Sequence, residues 1–77
     1  MSRICTRMPG TVRQAKLNIS HRPNGQWRLN IYTRVLPREM KWKWLPYDFV
    51  NWEDAVAKAQ ESAEHLREFD WEVEVEL

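Results

Sequence analysis

A single cysteine, Cys5, stands in this chain of 77 residues. One thiol can neither close an intrachain disulfide nor build a thiolate zinc site, and it fits a reducing compartment. Glycine is nearly as scarce, at Gly10 and Gly25, and no phosphate-cradling P-loop is present. Long apolar runs are missing as well. The start, MSRICTRMPGTVRQ, has no stretch of signal-peptide character, and nothing downstream is long and apolar enough to span a bilayer. The expectation is a soluble cytoplasmic protein with no membrane partner.

Catalytic patterns are absent too. There is no GxSxG and no HExxH. His21 and His65 are far apart in sequence and no cysteine stands near either, so both read as solvated and no metal is expected. Glu72, Glu74 and Glu76 alternate along a short segment. Exposed alternation supplies no pocket to shift a carboxylate pKa. No catalytic residue and no cofactor is expected, and the chain reads as a non-catalytic binding module.

What the chain does have is tryptophan and a hidden charge polarity. Five Trp, two Tyr and two Phe supply bulk for a core in a domain that buries only about 60% of its unfolded surface. The net charge is +1. Residues 1–44 nevertheless hold ten Lys/Arg against Glu39 alone, and residues 45–77 hold two against ten acids. Such asymmetry points to a basic surface for an anion, or to two surfaces that neutralise each other.

Residues 1–14, basic and interrupted by Pro9 and Gly10, read as a flexible arm, and 15–77 as one domain. AKLNISH (15–21) and QWRLNIYTR (26–34) alternate with period two, the mark of half-buried strands. A three-residue loop, Pro23-Asn24-Gly25, pairs Ile19 with Leu29 and Leu17 with Ile31, keeping the apolar faces together. A two-residue loop would mix them. MKWKW (40–44) reads as a third strand. Turning Trp42 and Trp44 inward sets them against Ile31 and Leu29 and sends Lys41 and Lys43 to the far face. Pro46 is expected to end this strand.

Asn51 is a good N-cap, with Glu53 and Asp54 in the first turn where the helix dipole favours acids. Trp52, Ala55, Val56, Ala59, Ala63 and Leu66 share one helical stripe. Asp54–Lys58 and Glu64–Arg67 are expected as surface pairs. WEVEVEL (71–77) is a fourth alternating strand, reached by a crossover and therefore parallel to the first. The expected fold is an α+β two-layer sandwich, β-β-β-α-β. Its sheet is mainly antiparallel, ordered 4-1-2-3, with one helix on one face.

On this scheme the open sheet face carries Lys16, Arg28, Arg34, Lys41 and Lys43 interleaved with Asn30 and Tyr32. Cations meet phosphate, Arg and Asn can read base edges, and Tyr can stack on a base. Arg3, Arg7 and Arg13 of the arm would follow a phosphate backbone. A plain solvated polar face explains the same residues. Glu74 beside Lys16 would likewise be an ordinary cross-strand neighbour.

The stretch NGQWRLNIY, followed by Phe49 and NWEDAVAKAQESAEHL, resembles the arm-type DNA-binding domain of phage tyrosine integrases. That resemblance implies a three-stranded face entering the major groove of duplex DNA, here through Arg28, Asn30, Tyr32, Lys41 and Lys43. The acidic fourth strand lies outside that family's pattern. In layout, ending in FDWEVEVEL, the chain also resembles small phage proteins that disable host machinery, including anti-CRISPR inhibitors. That likeness implies protein binding, with Glu72, Glu74 and Glu76 as a phosphate-like row against a nucleic-acid-handling partner. A homodimer could accompany either reading.

Overall fold

The computed structural model describes residues 10–77; Arg3, Cys5 and Arg7 of the arm lie outside the described residues. The elements are β1 (Val12–His21), β2 (Trp27–Leu36), β3 (Lys43–Phe49), α1 (Trp52–Glu68) and β4 (Glu72–Glu76). They build one four-stranded sheet, ordered β3-β2-β1-β4, with the helix on one face. The sheet is mixed rather than antiparallel throughout: β1–β2 and β2–β3 are antiparallel, and β1–β4 is parallel. Counted from the β4 edge the order is 4-1-2-3. A parallel neighbour requires a crossover, which α1 provides. Among the described residues, no helix is long and apolar enough to cross a membrane.

The β1–β2 turn follows from its three residues. The Arg22 N–H donates to the Gln26 carbonyl at 2.8 Å and the Gly25 N–H to the Arg22 carbonyl at 3.0 Å. Gly25 has φ +88°, the left-handed conformation that glycine adopts without a Cβ clash. The register that results sets Ile19 opposite Leu29 and Leu17 opposite Ile31. β1 begins at Val12, so Val12, Arg13 and Gln14 belong to the sheet, opposite Leu36, Val35 and Arg34.

Those paired apolar residues make the core. Ala15, Leu17, Leu29 and Ile31 are buried beneath Ala59 and Ala63 of α1, with Ile19, Phe49, Leu66, Trp71, Val73 and Val75 packed around them. Alanine at 55, 59 and 63, all buried, gives the helix a surface without bulk on the sheet side. Leu17 and Leu29 are fully buried, each worth about 1.5–3 kcal/mol of transfer free energy. Trp52 opens the stripe but sits at its margin, edge-on to Trp27 with ring centroids 5.0 Å apart.

The helix ends where its carbonyls are taken up locally. Trp71 N–H donates to the Leu66 carbonyl and Asp70 N–H to that of Arg67, at 3.1 Å each. Asp70 has φ +66°. This is a Schellman turn in which Asp occupies the position that glycine usually takes. Arg13 adds a side-chain bond, its Nη1 donating to the Phe69 carbonyl at 3.0 Å. At the other end Asn51 makes no side-chain cap to the backbone; its amide lies 3.4 Å from the Asp54 carboxylate instead. Lys58 pairs with Glu61 at 3.1 Å, not with Asp54.

The third strand departs most from expectation. Leu45 lies opposite Ile31, Tyr47 opposite Leu29 and Phe49 opposite Trp27. The strand therefore starts at Lys43, and β2 runs on to Leu36 before the connection. Relative to the expected pairing the strand has moved by three residues. An odd shift exchanges the faces of every side chain. Trp44 turns to the open face with Tyr32, while Lys43, opposite Thr33, takes the helix-side parity. Pro46 stays inside the strand, opposite Asn30. It is tolerated because β3 is an edge, where a missing N–H need not break a ladder.

Candidate functional site: the open sheet face

Side chains on the face away from α1 fall into cross-strand rows. Glu72, Gln14 and Arg34 form one, and Glu74, Lys16, Tyr32 and Trp44 the next. Glu76, Asn18, Asn30 and Pro46 follow, then Ser20, Arg28 and Asp48. Five expected residues are therefore assembled here: Lys16, Arg28, Asn30, Tyr32 and Arg34. Lys43 is not among them. It lies on the helix-side parity with its ammonium 2.9 Å from Glu39. Lys41 precedes β3 in the connection and is exposed. Glu72, Glu74 and Glu76 line up at the outer edge, all exposed.

At the centre of the face is Asn30, only 6% exposed. Its Nδ2 donates to Asn18 Oδ1 at 2.8 Å and to Ser20 Oγ at 3.2 Å. Its Oδ1 accepts from the Trp44 indole N–H at 3.0 Å. A buried amide must satisfy both ends, and Asn30 does so within the sheet. The amide therefore holds the Trp44 ring in place while 52% of that residue stays exposed. An aromatic ring both anchored and half in water is a ready surface for a partner.

Cations on the face divide into two kinds. Arg28 and Arg22 both bind Asp48, with Nε of Arg28 at 2.9 Å and Nη1 of Arg22 at 3.1 Å. The hydrogen bond from Arg28, together with the charges of both guanidinium groups, holds the Asp48 carboxyl below its ordinary value against some desolvation. The same bond raises Arg28. Glu39 is lowered by its bond to Lys43. Lys16 and Arg34, by contrast, have no acidic partner among the described residues. Arg34 instead donates to Gln14 at 2.8 Å and to the Met40 carbonyl at 3.1 Å.

Trp42 covers part of this second group. Its ring lies 4.2 Å from the Arg34 guanidinium and 5.2 Å from the Lys16 ammonium, both within cation–π range. Grooves of about 280 and 220 Å³ flank it, bounded by the β4 glutamates. Trp42 and Trp44, expected in the core, are thus the chief aromatics of the open face. Two features in the sequence pointed this way. Trp44 and Leu45 are adjacent apolar residues, so the strand has no single parity, and Asn30 in the middle of β2 needed a donor.

Among the described residues, no cluster of His, Cys, Asp or Glu is placed to hold a metal. No protein-family model, curated protein or solved structure matches the chain.

Proposed function

We propose that this is a non-catalytic protein that binds nucleic acid on its open sheet face. The observation that carries the reading is the company of Lys16 and Arg34, without acidic partners among the described residues, with Tyr32, Trp42 and Trp44. Cation plus stacking ring is the combination that a charged, base-bearing polymer requires. Titrating labelled DNA and RNA against salt tests it. Affinity should fall steeply as salt rises, with a slope set by the number of phosphates neutralised. Absence of binding to every nucleic acid at low salt refutes the reading.

A second reading has its own observation. Glu72, Glu74 and Glu76 are exposed and form no ion pair among the described residues. Their alternate spacing of about 6.6 Å makes a regular anionic row at a free edge. Such a row suits a basic groove on a protein, which would make the chain an inhibitor by contact. Replacing all three with Gln separates the two readings. On the first it strengthens nucleic-acid binding by removing repulsion. On the second it abolishes capture of a basic protein partner.

A further inference from the structure

We infer that the polymer taken by the open face is single-stranded, with a base stacked on the Trp44 indole and the backbone running along β2 and β3. The inference rests on the reading of this face as a nucleic-acid site and narrows its substrate.

Three observations lead there. The groups that would read base edges in a duplex are already spent. Asn30 is buried with both ends of its amide engaged by Asn18, Ser20 and Trp44. Arg28 is held on Asp48 through two of its nitrogens, at 2.9 and 3.4 Å. A bidentate contact to adenine or guanine would first have to break these bonds. What the face leaves exposed is ring surface, above all that of Trp44, 52% exposed, and in a duplex the faces of the bases are hidden against one another. Unstacked bases alone can use it.

Trp44 is built for that use. A surface indole free to turn loses rotamer entropy when a ligand arrests it. Here the ring is already fixed by the Asn30 carbonyl at 3.0 Å, with the Arg28 guanidinium over one of its faces at 5.8 Å. The opposite strand places Tyr32 directly across from it. Two aromatic side chains lie side by side, at the spacing of about 4.5–5.5 Å between Cβ atoms that cross-strand neighbours have.

Charge fixes the path. Strands lie about 4.8 Å apart, so the glutamate row on β4 is roughly 10 Å from β2 and 14 Å from β3. Those distances exceed the Debye length of about 8 Å at physiological salt. A single backbone over β2 and β3 therefore feels little repulsion from Glu72, Glu74 and Glu76. A duplex cannot avoid them. Its major groove is about 12 Å wide, close to the full width of this sheet, so one bank of phosphates would come to rest on the glutamates.

The test uses the full chain and labelled probes of about 12 units, within the site sizes of such surfaces: oligothymidylate, oligouridylate and a mixed-sequence duplex. Both single strands should bind at least tenfold more tightly than the duplex; preference between them tells DNA from RNA. Trp44→Ala should cost the single strands about tenfold, the loss of one stacked base at roughly 1.4 kcal/mol. Trp44→Phe keeps a ring and should retain most of the affinity, which guards against a folding artefact in the alanine variant. Duplex binding equal to or tighter than single-strand binding overturns this inference and leaves the nucleic-acid reading standing. Binding of neither overturns both. Single-strand binding that survives Trp44→Ala unchanged removes Trp44 as the platform and overturns the inference as stated.

Discussion

Asn30→Ala offers the sharpest test of how the open face is held. The substitution removes three hydrogen bonds, to Asn18, Ser20 and Trp44. Each such bond contributes about 0.5–1.5 kcal/mol net. Asn18 is half-buried, Ser20 exposed and Trp44 half in water, so the released partners can rehydrate and the lower part of that range applies. The expected loss is about 2 kcal/mol, against a total stability of roughly 4–10 kcal/mol for a domain of this size. In a domain this small that lowers Tm by about 8–16 °C. Urea unfolding should show a lower midpoint at unchanged slope, which identifies a stability change rather than a different unfolded state. A cycle with Trp44→Phe then isolates the indole bond, with an expected coupling of about 1 kcal/mol. A loss under about 0.5 kcal/mol, or strict additivity with Trp44→Phe, would show that Asn30 does not anchor the indole.

Three further outcomes follow from the same geometry. Asp48 is lowered mainly by its bond to Arg28, so its contribution is present above the ordinary carboxylate pKa of about 4 and disappears as pH falls below it. Acid unfolding should therefore erode the native protein more steeply in that range than Asp48→Asn; equal acid sensitivity refutes the linkage. Ala59→Leu puts a bulky side chain where α1 meets the core and should cost about 1–3 kcal/mol in urea unfolding, and a neutral result would mean that the helix stands off the sheet. Leu45→Ser, at a residue 53% exposed, should change stability by no more than about 0.5 kcal/mol, whereas a core-sized loss would show that β3 is covered by something in solution.

The helix-side surface around Leu45 explains why that last substitution is expected to be mild. Buried alanines on α1 face β1 and β2, where the core residues lie. Beyond them Ile31, Leu45 and Leu66 line an open groove of about 490 Å³. Leu45 and Tyr47 are inward by parity and still exposed. Their edge strand is interrupted by Pro46, which discourages a further strand from adding there.

How far the sequence could be read differs from strand to strand. β1 and β2 were legible down to the register, because each has one unbroken alternation and the loop between them admits a single length that keeps the apolar faces together. The helix was legible from its alanine stripe, and β4 from WEVEVEL, where every second residue is glutamate. Of the candidate site, Lys16, Arg28, Asn30, Tyr32 and Arg34 stand together on the open face, since all come from β1 and β2. The glutamate row was legible because β4 carries an unbroken alternation of its own. Lys41, Lys43, Trp42 and Trp44 were misplaced, all through β3.

Local pattern alone settled where the helix and the bodies of β1, β2 and β4 lie, and which side of those three strands is apolar. The placing of β3 was decided by contacts distant in sequence. MKWKWLPYDF contains two interleaved apolar sets, Trp42 with Trp44 and Leu45 with Tyr47 and Phe49, and either could face a core. Hydrophobicity does not choose between them. A buried amide on the neighbouring strand does, by requiring a donor that the Trp44 indole supplies, and Lys16 and Arg34, two cations without an acidic partner among the described residues, take the face of Trp42. Because strand side chains alternate with period two, that one choice of register turned the tryptophans from filling into surface.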